Sequence, residues 1–320
     1  FVEFALMKVI AIDLGGTNIK AAVVDQDLGI IEQSSTPTHA ELGKEHLLDR
    51  IAGVVMELSK KDEVVGIGMG LPGMVSLDQT TVRYPPNLPF LDGVNAAEEV
   101  SSRTQLPCKI ENDANIAALG SLHFGAGKGH DNFIMLTLGT GVGGGIIINR
   151  QLFKGSKGMA GELGHIILDY HGPLSNSVTR GTIEAYLGQR FLSRFAMDMI
   201  TQNPNNSLYQ KFSKDFDKLE PVDLTQAANA GNDLAIEILA KAGQRLGYAI
   251  INYTHMMDIR TYVLSGGVSK AGEWLFQPAT DIVKKHMMPP FQEGFEIIYE
   301  DLGNDSSLLG AAGLAFDSFG

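Results

Sequence analysis

Apolar runs bounded by polar turns alternate along this chain with longer segments whose apolar residues recur at a helical period. The short runs predict buried strands, and they cover residues 8–12, 19–24, 64–69, 108–111, 133–138, 146–148 and 261–264. The longer segments predict helices, and they cover residues 45–60, 95–102, 183–199, 233–250 and 307–316. Residues 169–179 are polar and predict a loop, and residues 201–221 show no regular pattern. This alternation of strands and helices is typical of an α/β protein.

Glycine-rich loops join two pairs of these predicted strands. The first loop is Asp13–Asn18, and the second, later in the chain, is Gly139–Gly145. Glycines permit positive φ and let backbone N–H groups point into the turn, where they can hold phosphate oxygens. Two such hairpins facing each other across a cleft could hold a triphosphate from both sides, with Asp13 holding a hydrated Mg²⁺ and Thr17 donating to a phosphate. An ordinary hairpin is the alternative, and for one Gly-Gly pair alone it is the better one.

Two segments, Gly68–Gly73 and Gly139–Gly144, also match the G-x-G-x-x-G pattern of dinucleotide enzymes. In that fold the glycines are followed by a helix whose N-terminus holds the pyrophosphate. An isoleucine run follows Gly145, while Pro72 interrupts the earlier match. The chain has no G-x-x-x-x-G-K-[ST] segment either. The sequence therefore disfavours both a Rossmann dinucleotide site and a P-loop.

Carboxylates and amides cluster in Glu111–Asn115, between a predicted strand and a predicted helix. A carboxylate at such a junction is exposed enough to meet a substrate hydroxyl and is held firmly enough to take its proton. We therefore expect the chemistry at Asp113. The alternative is that Asp113 only caps the helix, a role that Asn112 or Asn115 could also fill.

Composition narrows the class of protein. A length of 320 residues, 44% hydrophobic content and 37 glycines indicate two α/β domains with a cleft between them. A formal charge of −12 argues against nucleic acid or an anionic membrane as partner. With Cys108 as the single cysteine, no intrachain disulfide or thiolate zinc site can form, which suits a reducing cytosol. No apolar run is long enough to span a membrane, and Phe1–Leu6 lack the charged start of a signal peptide; Met7 is the expected natural start.

Five segments together resemble the motifs of the ROK family of sugar kinases and repressors, in the same order. They are Asp13–Asn18, Glu111–Asn115, Leu138–Gly144, Gly161–His165 and Ser265–Gly267. The resemblance extends from Met7 nearly to the C-terminus. It implies an actin/hexokinase-like (ribonuclease H-like) α/β ATPase fold, with ATP and sugar in a cleft between two domains. The expected domains are residues 7–117 plus 303–320, and residues 118–302.

The resemblance also assigns roles. Asp113 is the implied general base for the sugar 6-hydroxyl. The implied sugar contacts are Asn112, Glu162, His165 and Glu184. The implied cofactor-binding residues are Asp13, Gly15, Gly16, Thr17, Gly139, Thr140 and Gly141 at the phosphates and metal, and Gly266 and Gly267 at the adenosine.

The implied activity is a cytoplasmic kinase that uses ATP and Mg²⁺ to phosphorylate the 6-hydroxyl of a hexose, first of all glucose. N-acetylmannosamine, N-acetylglucosamine or fructose as substrate, and polyphosphate as donor, stay open. The family's repressors carry a DNA-binding helix-turn-helix before the first loop, and a first loop at Asp13 leaves no room for one. A non-catalytic sugar-binding protein would have no need for Asp13 or Asp113. A homodimer is common in the family and is expected here.

One departure from the family concerns zinc. Zinc-bearing members follow the sugar-contacting His with a C-x-C-G-x-x-G-C-x-E segment. In that register this chain has Ser175, Ser177 and Thr182 in place of the three cysteines, while Gly181 and Glu184 match. Neutral hydroxyls are poor substitutes for thiolates at zinc, so we expect no structural zinc.

Overall fold

The computed structural model describes residues 7–320; residues 1–6, which precede the expected start at Met7, lie outside the described residues. The strands are β1 (Lys8–Leu14), β2 (Asn18–Asp25), β3 (Gly29–Pro37), β4 (Ile67–Leu71), β5 (Met74–Val75), β6 (Val82–Arg83), β7 (Cys108–Asn112), β8 (Phe133–Leu138), β9 (Val142–Ile148), β10 (Gln151–Leu152), β11 (Thr261–Ser265) and β12 (Glu296–Tyr299). The α-helices are α1 (Gly43–Leu58), α2 (Ala96–Thr104), α3 (Asp113–Phe124), α4 (Glu184–Leu187), α5 (Gln189–Thr201), α6 (Ser207–Phe212), α7 (Pro221–Asn229), α8 (Asp233–Met257), α9 (Glu273–His286) and α10 (Ser306–Phe319).

Two five-stranded sheets share one strand order. The first runs β3-β2-β1-β4-β7, and the second runs β10-β9-β8-β11-β12. In the first sheet the β1–β2 and β2–β3 pairs are antiparallel, whereas β1–β4 and β4–β7 are parallel. In the second, β9–β10 is antiparallel, while β8–β11 and β11–β12 are parallel. The predicted α/β class with mixed sheets is confirmed, and so is the repeat of strand, glycine loop and strand at β1–β2 and β8–β9.

Contacts divide the chain into two units. The first holds the described residues up to Asp131, together with Gly145–Gly161 and Asp301–Gly320, and the second holds Asn132–Gly144 and Glu162–Glu300. The sequence placed the first boundary after residue 117. The structure groups all of α3 with the first unit because α3 packs closely on α10, as the glycines below show.

Close helix packing in the first unit depends on glycines. A Cβ on Gly310 of α10 would lie 1.9 Å from the backbone oxygen of Ile116 in α3. A Cβ on Gly68 of β4 would lie 1.8 Å from the backbone oxygen of Ala311. Gly68 thus serves the packing of α10 on the sheet, and a Cβ on Gly70 would lie 3.1 Å from the Ile116 side chain of α3, so these glycines serve helix packing, which agrees with the rejection of a dinucleotide loop there.

We expect Gly310→Ala to lower the free energy of unfolding by roughly 1–3 kcal/mol, because the added methyl forces α3 and α10 apart. The matched control is Gly53→Ala, since Gly53 is also inside a helix but nothing lies within 4 Å of its Cβ position. That change should raise the free energy of unfolding by about 0.5–1 kcal/mol. Chemical denaturation measures both. A stabilising Gly310→Ala would contradict the close packing.

Two predicted elements in the second unit differ from the structure. The helix expected over residues 183–199 is broken at Gly188, whose extended backbone (ψ 141°) separates α4 from α5. The segment 201–221, expected to be irregular, contains α6, which Asn206 caps by accepting a hydrogen bond from the Leu208 backbone N–H. Among residues 7–320, no helix combines the length and apolarity needed to cross a lipid bilayer.

Candidate active site

Parallel strands of the first sheet bring two aspartates to one edge. In the register of the sheet, Asp13 on β1 lies opposite Gly70 on β4, and Gly70 lies opposite Glu111 on β7. Asp113 is the first residue of α3, directly after β7. Because parallel strands end at the same edge, the carboxyl ends of β1 and β7 present Asp13 and Asp113 to the same space.

The turn between β7 and α3 is capped by Asn112. Its Oδ1 accepts from the Ala114 backbone N–H at 2.9 Å, and its Nδ2 donates to the Gly73 backbone oxygen at 2.8 Å. The Asp113 side chain is exposed, and its Oδ1 also accepts from the Ala114 N–H at 2.8 Å. Since Asn112 holds the N-cap position, the Asp113 carboxylate is not needed as the cap and stays accessible to a substrate hydroxyl.

Protein groups around the two aspartates favour their neutral forms. Although Asp113 is accessible to solvent, the protein atoms around its carboxyl group partly desolvate the charge and raise its pKa; the negative charge of Asp13 adds to the increase, while hydrogen bonds from the Ala114 backbone and the Asn112 side chain oppose it. Burial also raises the pKa of Asp13, against the opposing effects of Lys20 and a hydrogen bond from Ser307. Two neighbouring carboxylates of this kind form a place where a cation or a transferred proton is stabilised.

The first glycine loop is a tight turn with ordinary backbone angles. The Gly15 N–H donates to the Asn18 oxygen at 2.9 Å, and the Thr38 N–H donates to the Thr17 oxygen at 2.7 Å. The expectation of positive φ is wrong for Gly15 and Gly16, which are not among the left-handed residues. The reason for glycine at these positions is the limited space for a side chain. A Cβ on Gly16 would lie 3.1 Å from the Asn87 Cβ, and a Cβ on Gly15 would lie 3.2 Å from the Asn18 oxygen.

In the second unit, two predicted nucleotide loops lie side by side. The Val268 N–H donates to the Leu138 oxygen at 3.0 Å, and a Cβ on Gly266 would lie 2.4 Å from that oxygen. Gly266 has a φ of 94°, in the left-handed region, whereas Gly139 and Gly141, in the loop where positive φ was expected, are not left-handed. Thr140 and Gly267 are exposed beside these contacts, which leaves their backbones open to a ligand.

Glu184 contacts the second glycine loop directly. Its side chain is buried, and Oε2 accepts from the Val142 N–H at 3.3 Å, while Oε1 accepts from Asn176 Nδ2 at 3.4 Å. A Cβ on Gly141 would lie 2.3 Å from Oε2. A side chain at position 141 would displace the Glu184 carboxylate, and this carboxylate connects the predicted sugar contact with the predicted phosphate loop.

Glu162 and His165 form an accessible acid–imidazole pair at a short 3₁₀ turn. Their side chains are about half exposed, and Glu162 Oε2 lies 3.7 Å from His165 Nε2. The turn is held by the Tyr253 hydroxyl, which donates to the Leu163 oxygen at 2.8 Å. It is also packed so closely that a Cβ on Gly164 would lie 2.0 Å from the Val142 oxygen. A rigid turn with two exposed polar groups suits recognition of sugar hydroxyls.

Two side chains near the Asp113 turn, Lys154 and Gln79, are not marked by any pattern in the sequence. Lys154 pairs with the buried carboxylate of Glu111, and Gln79 donates to the same carboxylate at 3.0 Å. No spacing or motif connects residues 79, 111 and 154 along the chain. Only the fold brings them together.

The residues fit magnesium but not zinc. Mg²⁺ takes one or two carboxylates together with waters and substrate phosphates, and Asp13 and Asp113 offer such oxygens. No group of three or more His, Cys, Asp or Glu side chains within residues 7–320 is arranged to hold a metal ion by itself. The Ser175 hydroxyl lies 2.7 Å from the Ser177 hydroxyl and donates to the Thr179 oxygen at 2.9 Å. These hydroxyls are bonded to each other and to backbone, which does not suit a zinc ligand set.

Comparison with known proteins identifies the family. The ROK family model matches residues 9–318. The chain belongs to the ROK family. It is 35% identical to a glucokinase of Thermotoga maritima over 314 residues, which cover 98% of this chain and 99% of that protein. A ROK family glucokinase from Streptomyces griseus in complex with glucose and AMPPNP has 32% identity and a TM-score of 0.76, with 97% of this chain and 99% of that chain covered.

The ROK family also contains repressors. A xylose repressor of Bacillus subtilis is 26% identical to this chain, with 97% of this chain and 77% of the repressor covered. Membership in the family alone therefore does not separate catalysis from regulation, and the side chains of the site must do so.

For this ROK protein we predict activity without structural zinc. Treatment with a chelator followed by return to Mg²⁺ alone should restore full activity, since the hydroxyls of Ser175, Ser177 and Thr182 do not replace thiolates. Elemental analysis of protein prepared without a histidine tag measures the zinc content. Stoichiometric zinc, with activity that only zinc restores, would show that another ligand set holds the metal.

Proposed function

We propose that this ROK protein is an ATP-dependent sugar kinase that transfers the γ-phosphate to the 6-hydroxyl of a hexose, with glucose as the first substrate. The observation that carries the proposal is the solvent-accessible carboxylate of Asp113 beside Asp13 at the edge of the first sheet. The similarity to glucokinases over nearly the whole chain supports the choice of glucose. The neighbour bound to AMPPNP supports ATP as donor.

The proposed chemistry begins with the sugar. Asn112, Glu162, His165 and Glu184 bind its hydroxyl groups, and Asp113 accepts a hydrogen bond from the 6-hydroxyl. As the oxygen of that hydroxyl attacks the γ-phosphorus, its proton passes to the Asp113 carboxylate. The new O–P bond forms while the bond between the γ-phosphorus and the bridging oxygen breaks, and ADP leaves. Phosphoryl transfer depends mainly on positioning and charge neutralisation, so one base on a rigid turn is sufficient.

The remaining residues hold the nucleotide. Backbone groups of Gly15, Gly16, Thr17, Gly139, Thr140 and Gly141 bind phosphates, and Gly266 and Gly267 bind the adenosine. Asp13, with water, would hold Mg²⁺ at the phosphates. When bound, the ion neutralises the charge that develops on the phosphate oxygens. With a net charge of −12 the chain depends on such backbone donors and a metal.

Other sugars and other roles are distinguished by one experiment. ADP release is measured with ATP and Mg²⁺ over glucose, fructose, N-acetylglucosamine and N-acetylmannosamine. Formation of sugar phosphate is then measured with polyphosphate in place of ATP. We expect the highest kcat/KM with glucose and ATP. If the protein binds a sugar but phosphorylates none of the sugars tested, a sensing or repressor role would be favoured. A cytoplasmic location and a homodimer are proposed with the kinase and need fractionation and sedimentation for their own tests.

The raised pKa of Asp113 gives a pH prediction. The base must be ionised, so activity is lost as pH falls through the pKa of Asp113, and a raised pKa moves this loss above the ordinary range of an aspartate. Asp13→Asn removes a neighbouring negative charge and should lower the pKa of Asp113. NMR titration of the Asp113 carboxyl carbon in the nucleotide-free protein measures both. A pKa in the ordinary range that does not respond to Asp13→Asn would contradict the coupling.

A further inference from the structure

The carboxylate of Glu111 is fully buried next to the turn that carries Asp113. Its Oε1 accepts from the Asn112 backbone N–H at 2.9 Å and from Asn115 Nδ2 at 3.0 Å. Its Oε2 accepts from Gln79 Nε2 at 3.0 Å and pairs with Lys154 Nζ. Each oxygen therefore has two donors, and the carboxylate cannot shift without breaking bonds on both sides.

Lys154 reaches this carboxylate from a tightly packed loop. Its side chain is 9% exposed. The Lys154 oxygen accepts from the Ala160 N–H at 3.2 Å. Gly158 has a φ of 86°, and a Cβ there would lie 2.6 Å from the Leu77 backbone nitrogen. The ammonium group is thus held in place by its own loop, as well as by Glu111.

A buried ion pair is a weak way to stabilise a fold, because apolar side chains of similar volume often do as well or better. Apolar side chains, however, make no hydrogen bonds that could hold a neighbouring backbone group in one orientation. Here one of the four bonds to Glu111 comes from the backbone N–H of Asn112, the residue immediately before Asp113. A second goes to Asn115 in the first turn of α3.

We propose that Glu111 and Lys154 are positioning residues for the phosphoryl transfer, which fix Asn112, the residue preceding Asp113, and so the direction of the Asp113 carboxylate. The proposal rests on the role of Asp113 as general base and deepens it. A misplacement of reacting groups by about 1 Å can cost on the order of 10²-fold in rate. Loss of either partner should therefore lower kcat strongly, while KM for the sugar changes little because three of the four proposed sugar contacts, Glu162, His165 and Glu184, do not depend on Glu111.

The test compares kcat and KM of the wild type with Lys154→Met, Lys154→Arg and Glu111→Gln. We expect Lys154→Met and Glu111→Gln to lower kcat by about 10–100-fold with sugar KM changed less than about threefold, and Lys154→Arg to retain most of kcat. Lys109→Met is the matched control, because Lys109 lies on the same strand but donates to the Asp78 oxygen. Its kcat should equal that of the wild type. Wild-type kcat in folded Lys154→Met and Glu111→Gln would overturn the proposal.

The double variant Glu111→Gln with Lys154→Met tells whether kcat falls because the fold is destabilised or because Asp113 is misplaced. It removes both charges and therefore buries no unpaired charge. We expect its melting temperature to recover towards that of the wild type while kcat stays low; recovery of both would show that the pair only stabilises the fold. Amide hydrogen exchange at Asn112 and Ala114 should speed up in Lys154→Met and not in Lys109→Met. Because this readout needs no turnover, it tests the positioning even if the wild type phosphorylates no sugar, a result that would instead refute the proposed function.

Discussion

Asp113→Asn is expected to lower kcat by about 10²–10⁴-fold while sugar binding stays nearly unchanged. Asparagine has the same shape and can still accept from the Ala114 N–H, so the start of α3 should survive. It cannot take the proton of the attacking hydroxyl. Steady-state kinetics with ATP and the preferred sugar, together with calorimetric titration of the sugar, measure the two effects separately.

The control for this prediction is Asp233→Asn. Asp233 is the first residue of α8 after the N-cap Asn232, as Asp113 is the first residue of α3 after the N-cap Asn112, and both are exposed. The control therefore makes the same change of charge at the start of a helix, but at a residue with no proposed role in the chemistry. Its kcat should equal that of the wild type. Near wild-type turnover in Asp113→Asn would exclude Asp113 as the base.

Glu162→Ala is expected to raise KM for the sugar by about 10–100-fold, because hydrogen bonds to a charged group contribute roughly 1.5–3 kcal/mol and every 1.4 kcal/mol is tenfold in affinity. The Glu162 backbone oxygen still accepts from the His165 N–H at 3.2 Å, so the turn itself should remain. KM for ATP should stay close to the wild-type value. Kinetics with each substrate varied in turn give both constants.

The matched control for this prediction is Glu237→Ala. Glu237 lies on α8, where it pairs with Lys241 at 3.3 Å on the exposed surface, and such pairs contribute little. Both KM values should be unchanged in this variant. If Glu162→Ala binds sugar as well as the wild type does, Glu162 is a solvated surface acid and the sugar is held elsewhere.

The family and the α/β class could be predicted because they depend on local pattern. The strand, glycine loop and strand units at β1–β2 and β8–β9 combine apolar runs with glycines, and no long-range contact is needed to recognise them. The ROK family model confirms the prediction made from five motifs. The roles of Asp113, Glu162 and Glu184 stay predictions until the variants are measured.

Features that arise from tertiary packing could not be predicted. The apolar periodicity over residues 183–199 predicts one continuous helix. In the structure the backbone of Gly188 is extended, and the Gln189 N–H donates to the Gly139 oxygen at 2.9 Å. The loop glycines 15, 16 and 141 were expected to provide positive φ, but they provide space for neighbouring groups. Lys154 meets Glu111 over 43 residues of sequence, and nothing local marks either residue as a partner of the other.

The position of the transferred phosphate shows directly whether the γ-phosphate goes to the 6-hydroxyl of glucose and whether this transfer needs Asp113. The protein is incubated with ATP, Mg²⁺ and glucose labelled with ¹³C at carbon 6, and the product is followed by ³¹P and ¹³C NMR. We expect the wild type and the Asp233→Asn control to form ADP and a hexose whose carbon 6 couples to phosphorus, and Asp113→Asn to form almost none. Phosphate on another hydroxyl, or hydrolysis of ATP with unmodified glucose, would contradict this expectation.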